Sequence, residues 1–521
     1  MNEKVCPTLR ERVSGVLRSD AMVVLFFAAT NLLLHLICID GYGYFRDELY
    51  YISCSNHLAF GYVDHPALAM VVLRGIRFLF GDSLPALRLL PVISASLLVV
   101  GTGLLAKELG GKRFSLALSC AAASGVIGNL FLFHNYSMNS LDHLFWMACF
   151  LLLVKIVKGA NPRLWLLFGT VAGLGLQNKI SLLFLLLGTA LCLLLLPELR
   201  VHLKSPFLWI GGLLALLIFL PYILWNFAHQ WPLLEFMRNA GANKIAVLPP
   251  LVFLREQILY NNPNTLLIWT AGLGYFLFHP QGKRFRLFGL IYLLTYLIFN
   301  LQNSKTYYLA PAYPVLFAGG AVFWERLLQK GKLRIFRPLM VGAIWISTLL
   351  LSPLVLPLLP VEKYIVFAKT LGFQQEPSEN HRMGPLPQTF ADMFGWRETT
   401  AKVAAVYRSL PEGDRTRCLI YGDNYGVAGA LDFFGREAKL PPVFSGHNNH
   451  YFWPPQGRDG EVMITVGADM EDLREIFREF RQVGRTYHPY AMPYENDKPI
   501  CLARGLKIPL QEVLKRAKHF E

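Results

Sequence analysis

The stretch YFRDELYYIS sets Arg46, Asp47 and Glu48 side by side among aromatic residues, shortly after the apolar run MVVLFFAATNLLLHLICI. Adjacent carboxylates are candidates for proton transfer. Five more segments carry side chains of related kinds. GYVDHPAL brings Asp64 and His65, FHNYSMNSLDH brings His134, Asn139 and Asp142, and LQNKIS brings Lys179. NFAHQWP adds Asn226 and His229, and NSKTYY adds Lys305 and Tyr307. Acids, lysines and imidazoles in one place would either translocate an ion or do chemistry on a phosphorylated amphiphile. Which of these applies depends on the elements that position them.

Of 521 residues 54% are hydrophobic and only 16% charged, against about 25% charged in an average soluble domain. The pattern is that of a polytopic α-helical membrane protein. Apolar runs with few charges are centred on 22–39, 87–105, 114–132, 141–156, 164–176, 180–196, 207–227, 265–278, 287–299, 307–323 and 339–359, about eleven transmembrane helices. Residues 70–80 are apolar but carry Arg74 and Arg77, which predicts a helix lying in the membrane interface. The first run is too long for a cleaved signal peptide and reads as an anchor. Basic residues occupy every second connection: Lys4, Arg10, Arg12 and Arg18, then KELGGKR, KIVKGANPR, PELRVHLKS, HPQGKRFR and ERLLQKGKLRIFR. That alternation predicts a cytoplasmic N-terminus and an external C-terminus. It also spreads the net charge of +15 over short loops, which argues against nucleic acid as a partner.

Beyond residue 360 charges, Gly and Pro increase and no further run is long enough to cross. The expected division is a transmembrane domain over 1–360, with a first outer loop at 40–86, and a small extramembrane α/β domain over 361–521. CLIYGD, EVMITVG and PICLARGL predict strands, and 469–483 predicts an amphipathic helix. GDNYGVAG and FSGHNNHYFWPP read as loops; the second, with His447, Asn448, Asn449, His450 and Trp453, is either a contact for an acceptor glycan or a cluster of turn residues. Cys418 and Cys501 fall in the outer domain, where an oxidising compartment permits a disulfide. No His/Cys spacing indicates a metal or other cofactor.

This topology sends all six polar clusters to the outer face, near span ends. Alone, Arg46 and Asp47 are equally explained as a solvated ion pair at a helix entrance. A transporter or flippase of lipid-linked sugar would place charges at mid-span, with broken helices in matched positions and an internal repeat. The charges lie instead at span ends, beside an attached folded domain. An enzyme taking a lipid-linked substrate from the bilayer fits that arrangement better. A non-catalytic envelope-assembly protein is the remaining class.

RDELYY after the first span, GYVDHPAL, MNSLDHLFW, GLGLQNKISLL, ILWNFAHQWP and SKTYYLAPAYPVL, in this order and spacing, resemble the family-39 membrane glycosyltransferases. These are the protein O-mannosyltransferases and lipid A aminoarabinose transferases of GT-C architecture. The resemblance covers 22–359. It implies an inverting transferase of the bacterial inner membrane that uses a polyprenyl-phosphate sugar donor. The acceptor would be a hydroxyl or phosphate of a glycan, lipid or protein on the periplasmic side.

The family's acidic pair falls on Asp47 and Glu48, which implies Asp47 as general base and Glu48 as a supporting acid. Positive charge on the leaving lipid phosphate would come from Lys179 and Lys305, with His65 and Arg255 as further candidates. Asp64, Asn139, Asp142, Asn226, His229 and Tyr307 are candidate substrate contacts. Two positions depart from the family pattern. His65 stands where a lysine is usual. An acid expected six residues before Trp146 is replaced by Ser140, with Asp142 two residues later. Asp142 has a second reading as a helix cap, and His65 as a residue bonding a backbone carbonyl.

Overall fold

A computed structural model describes residues 19–244, 248–329, 331–373 and 382–521. The basic N-terminal arm lies outside the described residues, as does Lys330. Two compact units emerge. The first comprises residues 1–39, 88–219 and 248–358; the second comprises 40–87, 220–247 and 359–521.

The first unit is helical. Five described helices are long and apolar enough to cross a membrane: Leu84–Glu108, Met138–Val157, Pro206–Ala228, Lys283–Leu301 and Gly331–Leu354. Leu84–Glu108 and Pro206–Ala228 run on into the second unit. A bent pair, Leu182–Leu195 and Pro197–Lys204, makes a sixth if it is one span. The expected count of eleven is therefore not reached by length and apolarity. The remaining runs form shorter or broken helices, and the reason is local. The run at 114–132 divides into Arg113–Ser124 and Ile127–Leu132 around Gly125. The run at 307–323 begins as the 3-10 segment Thr306–Ala312, containing Pro311, before the helix Tyr313–Leu327. Leu266–Phe278 has 13 residues, about 20 Å at 1.5 Å per residue, against a hydrocarbon core of about 30 Å.

The second unit contains a five-stranded mixed sheet in the order β2-β1-β3-β5-β4. Its strands are β1 (Cys418–Gly422), β2 (Val443–Phe444), β3 (Val462–Val466), β4 (Phe477–Arg485) and β5 (Pro499–Leu506). β1 pairs parallel with β2 and β3, and β5 runs antiparallel to β3 and β4. The three strands read from the sequence are β1, β3 and β5. The helix expected over 469–483 is a correction. Asp469 caps a short helix, Met470–Ile476, and the chain then turns extended at Phe477 and becomes edge strand β4. Arg478, Glu479 and Arg481 on this edge give a charge pattern that suits a helix face and a protected strand edge equally.

Cys418 and Cys501 are free, buried thiols. They sit on β1 and β5, which flank β3. Two strand spacings of about 4.8 Å separate such strands, beyond the Cα separation of a disulfide. The interfacial reading of residues 70–80 corresponds to the helix Leu68–Phe80. It buries Met70, Leu73 and Arg77 and exposes Val71, Phe78, Leu79 and Phe80.

Candidate active site

In the second unit, the helix Arg46–Asn56 carries the acidic pair. It is not a solvated entrance helix. Arg46 is 7% exposed and Glu48 1%, while Asp47 between them is partly exposed. Glu48 Oε2 accepts from the Phe45 backbone N–H at 2.9 Å and so closes the first turn. At the other end Arg77 donates to the Ile52 carbonyl at 3.1 Å and to Ser55 and Asn56, and it pairs with Asp82. A cation on the last carbonyls stabilises a helix C-terminus. The helix bearing Asp47 is thus fixed at both ends, with its N-terminal dipole favouring the carboxylate.

Arg46 donates from Nη1 to the Tyr494 hydroxyl at 2.9 Å, and its guanidinium lies 4.4 Å from the centre of the Tyr425 ring. The Tyr425 hydroxyl donates to Asp47 Oδ1 at 3.0 Å. Tyr425 opens a helix, Tyr425–Phe434, in the segment expected to be a loop. GDNYGVAG uses its small residues for packing. A Cβ on Gly429 would lie 3.0 Å from the Leu49 carbonyl, and one on Gly426 would lie 2.7 Å from Arg46 Cγ. Both glycines let this helix press against Arg46–Asn56.

Asp64 accepts from the Tyr50 hydroxyl at 2.8 Å. Burial, and next the Asp64 charge, hold that hydroxyl well above its ordinary pKa, so it remains a donor. Asn449 donates to the Tyr50 oxygen and accepts from the Val63 N–H at 3.1 Å. Asn449 belongs to the 3-10 turn Asn448–Phe452, also in a segment expected as loop. Beside it, burial pushes the His450 imidazole down to about 3. His65 takes the backbone-bonding alternative. Its Nδ1 lies 2.9 Å from the Pro66 carbonyl, its ring is 1% exposed among Tyr51 and Tyr62, and its Nε2 is 3.9 Å from Asp64.

Asn226 is turned back on its own helix, donating to the Tyr222 carbonyl at 3.1 Å. His229 is exposed, with its ring stacked on Trp225 at 4.3 Å and edge-on to Phe452.

The first unit assembles a separate cluster. The helix Leu164–Asn178 ends where Lys179 turns extended, and the next helix, Leu182–Leu195, begins three residues on. Asn178 anchors this break by donating to the Met138 carbonyl at 2.8 Å. Lys179 Nζ donates to Asn139 Oδ1 at 2.7 Å and lies 3.8 Å from Asp142. The rings of Tyr307 and Tyr308 lie 5.4 and 4.9 Å from it. Asp142 is 1% exposed and accepts the Ser181 hydroxyl at 2.8 Å on each oxygen. Capping of Met138–Val157 falls to Ser137 instead, so the capping alternative for Asp142 is not what the fold uses. Lys305 opens the 3-10 segment Thr306–Ala312, which carries Tyr307. Arg255 lies exposed on the helix Pro250–Tyr260, paired with Glu256 at 3.0 Å.

The sequence reading missed Tyr425, Tyr50 and Ser181, and took Asn449 only as a candidate acceptor contact. Tyr50 and Ser181 stand within the quoted segments, three residues after Asp47 and two after Lys179. Tyr425 carries no local signal.

The fold, with a helical unit and a unit that carries the mixed sheet, is that of solved structures of GT-C architecture. Relatives in sequence and structure agree. A profile of the dolichyl-phosphate-mannose-protein mannosyltransferase family matches residues 64–225, a stretch that includes Asp64, His65, Asn139, Asp142 and Lys179 but not Asp47. Lipid A galacturonosyltransferase RgtD of Rhizobium johnstonii is 26% identical over 224 residues, 41% of this chain and 44% of that protein. The chain therefore spans less than half of that relative. Among solved structures, apo ArnT from Cupriavidus metallidurans superposes with a TM-score of 0.59 at 13% identity, over 92% of this chain and 97% of that one. ArnT bound to undecaprenyl phosphate gives 0.58 at 12% identity, with the same coverage. The Archaeoglobus fulgidus oligosaccharyltransferase gives 0.52 at 12% identity, over 79% of this chain and 64% of that one. At these identities the likeness establishes the fold.

Proposed function

We propose that the chain is an inverting glycosyltransferase that moves a sugar from a polyprenyl-phosphate donor to an acceptor hydroxyl or phosphate. One observation carries this reading. Asp47 is the partly exposed member of a buried charge trio, on a helix pinned at both ends, with one carboxylate oxygen held by Tyr425. A carboxylate so placed is suited to take a proton from an acceptor hydroxyl. As that proton leaves, the acceptor oxygen bonds to the anomeric carbon, the bond from that carbon to the phosphate oxygen breaks, and polyprenyl phosphate departs with the electron pair. The departing phosphate needs cations rather than an acid, and Lys179 in its cage of Asn139, Asp142 and two tyrosines is the foremost candidate. The names of the relatives support the same class: a lipid A galacturonosyltransferase, and an ArnT that binds undecaprenyl phosphate.

On this reading the protein resides in a bacterial inner membrane, with the transmembrane domain over 1–360, the α/β domain periplasmic and the N-terminus cytoplasmic. The alternating basic connections support that orientation. A reporter enzyme fused after Glu521 is expected to be active only when it requires the periplasm. Activity confined to a cytoplasmic reporter would overturn the orientation.

Transfer itself is tested with purified protein, a labelled polyprenyl-phosphate sugar, and lipid A, glycan and peptide acceptors. Label on an acceptor is the expected result. Intact donor moved across liposomes without transfer would replace the enzyme by a flippase.

A further inference from the structure

Residues 359–521 are joined to the acidic helix by more than packing. Tyr425 is held from three directions. Asn424, just before it, caps its helix by accepting from the Val427 N–H at 2.9 Å. The Asn424 side-chain amide donates to Glu495 Oε1 at 3.1 Å. Glu495 in turn pairs with Lys498 at 2.8 Å, and Lys498 pairs with Asp423 at 2.6 Å. Burial disfavours the charge on Lys498, but Glu495 and Asp423 outweigh it and hold its pKa above the ordinary lysine value. This group of charges, with Glu495 buried and Asp423 and Lys498 half-buried, fixes the turn from β1 into the helix Tyr425–Phe434. Arg46 closes the third side, stacked on the Tyr425 ring and bonded to Tyr494, whose hydroxyl donates to Asp392 Oδ1 at 3.1 Å.

A phenol held this firmly has little freedom to leave Asp47. The same part of the chain also reaches a second candidate acid of the first outer loop, through Asn449 and Tyr50 to Asp64. Asp47 and Asp64 are therefore each tied, directly or through Tyr50, to a side chain more than 300 residues further on.

We propose that Tyr425 is a positioning residue for the catalytic base: its hydroxyl fixes one oxygen of the Asp47 carboxylate and so sets the orientation of the group. The inference rests on the reading of Asp47 as base. Hydrogen bonds to a carboxylate favour its charged form, so Tyr425 also lowers the pH at which the base becomes available. The α/β part is then a working component of the site, and its loops belong to the surface that meets the acceptor.

The test is the pH profile of kcat/KM for Tyr425→Phe, measured beside Asp47→Asn. Phenylalanine keeps the ring that stacks on Arg46 and removes only the donor. The acid limb of Tyr425→Phe is expected to move up by about one pH unit, the equivalent of one charge-assisted hydrogen bond, with donor KM unchanged. A merely structural tyrosine would change expression or thermal stability and leave the limb in place. An inactive Asp47→Asn with a wild-type limb in Tyr425→Phe would overturn the positioning role alone. An active Asp47→Asn would overturn the base, and the positioning role with it.

Discussion

Asp47→Asn is expected to lower transfer by about 10²- to 10⁴-fold, the usual loss when a general base is removed, while the protein folds and binds its lipid donor as before. The substitution is close to silent structurally. Asparagine presents an acceptor oxygen to the Tyr425 hydroxyl, so the 3.0 Å contact can persist. Arg46 does not depend on Asp47 for its place, because the Tyr425 and Tyr494 rings and the Tyr494 hydroxyl hold it. If the carboxylate served only as half of a surface ion pair, its loss would cost at most about 1 kcal/mol of stability and leave activity nearly intact. Those magnitudes are far enough apart for one turnover measurement to decide. More than about a tenth of wild-type turnover would reject Asp47 as base. Glu48 would be a poor replacement, since it is 1% exposed and committed to the Phe45 N–H. Asp64, 16% exposed at its side chain and held by Tyr50, would become the stronger candidate.

The parts of the site that were legible in sequence are those whose signal is local. RDELYY announces itself as charge after an apolar run, and LQNKIS as a polar break between two apolar runs. Both segments put the expected side chains, Asp47 and Lys179, into built surroundings. What Tyr425 and Asn449 touch was illegible because their partners lie 378 and 386 residues away. Their own segments also misled, since Asn424, Gly426 and Gly429 look like turn formers when two of them permit close helix packing and the third caps a helix. Apolar runs report composition, whereas helix length depends on Gly125 and Pro311, which divide or tighten runs that hydropathy reads as continuous. His65 and Asn226 show the converse limit. Their polarity marked them as site candidates, yet each ring or amide is satisfied in part by nearby backbone.

Removing the charge of Lys179 is expected to weaken donor binding by about 10- to 150-fold, the loss of one charge-assisted hydrogen bond to phosphate. The environment of Lys179 dictates how that must be measured. A lysine at a span end would ordinarily be removable at little cost, because its stem reaches water and nothing depends on its charge. Here Asp142 depends on it. That carboxylate is 1% exposed, with the ammonium 3.8 Å away. Deleting one member of a buried pair strands the other, at about 3 to 5 kcal/mol. Lys179→Met alone would therefore confound a lost phosphate contact with a damaged fold. The informative protein is Lys179→Met combined with Asp142→Asn, which removes the cation without leaving a carboxylate uncompensated. Asp142→Asn by itself keeps Lys179, with Asn139 still accepting from it at 2.7 Å. It is expected to bind donor within a few-fold of wild type and to melt near the wild-type temperature. The double variant should melt near that temperature too, yet show the full loss in donor affinity, read by titration with a polyprenyl phosphate. Wild-type affinity in a well-folded double variant would take Lys179 out of the donor site. The Asn139–Asp142–Ser181 group would then be a structural device that stabilises a break between two membrane helices.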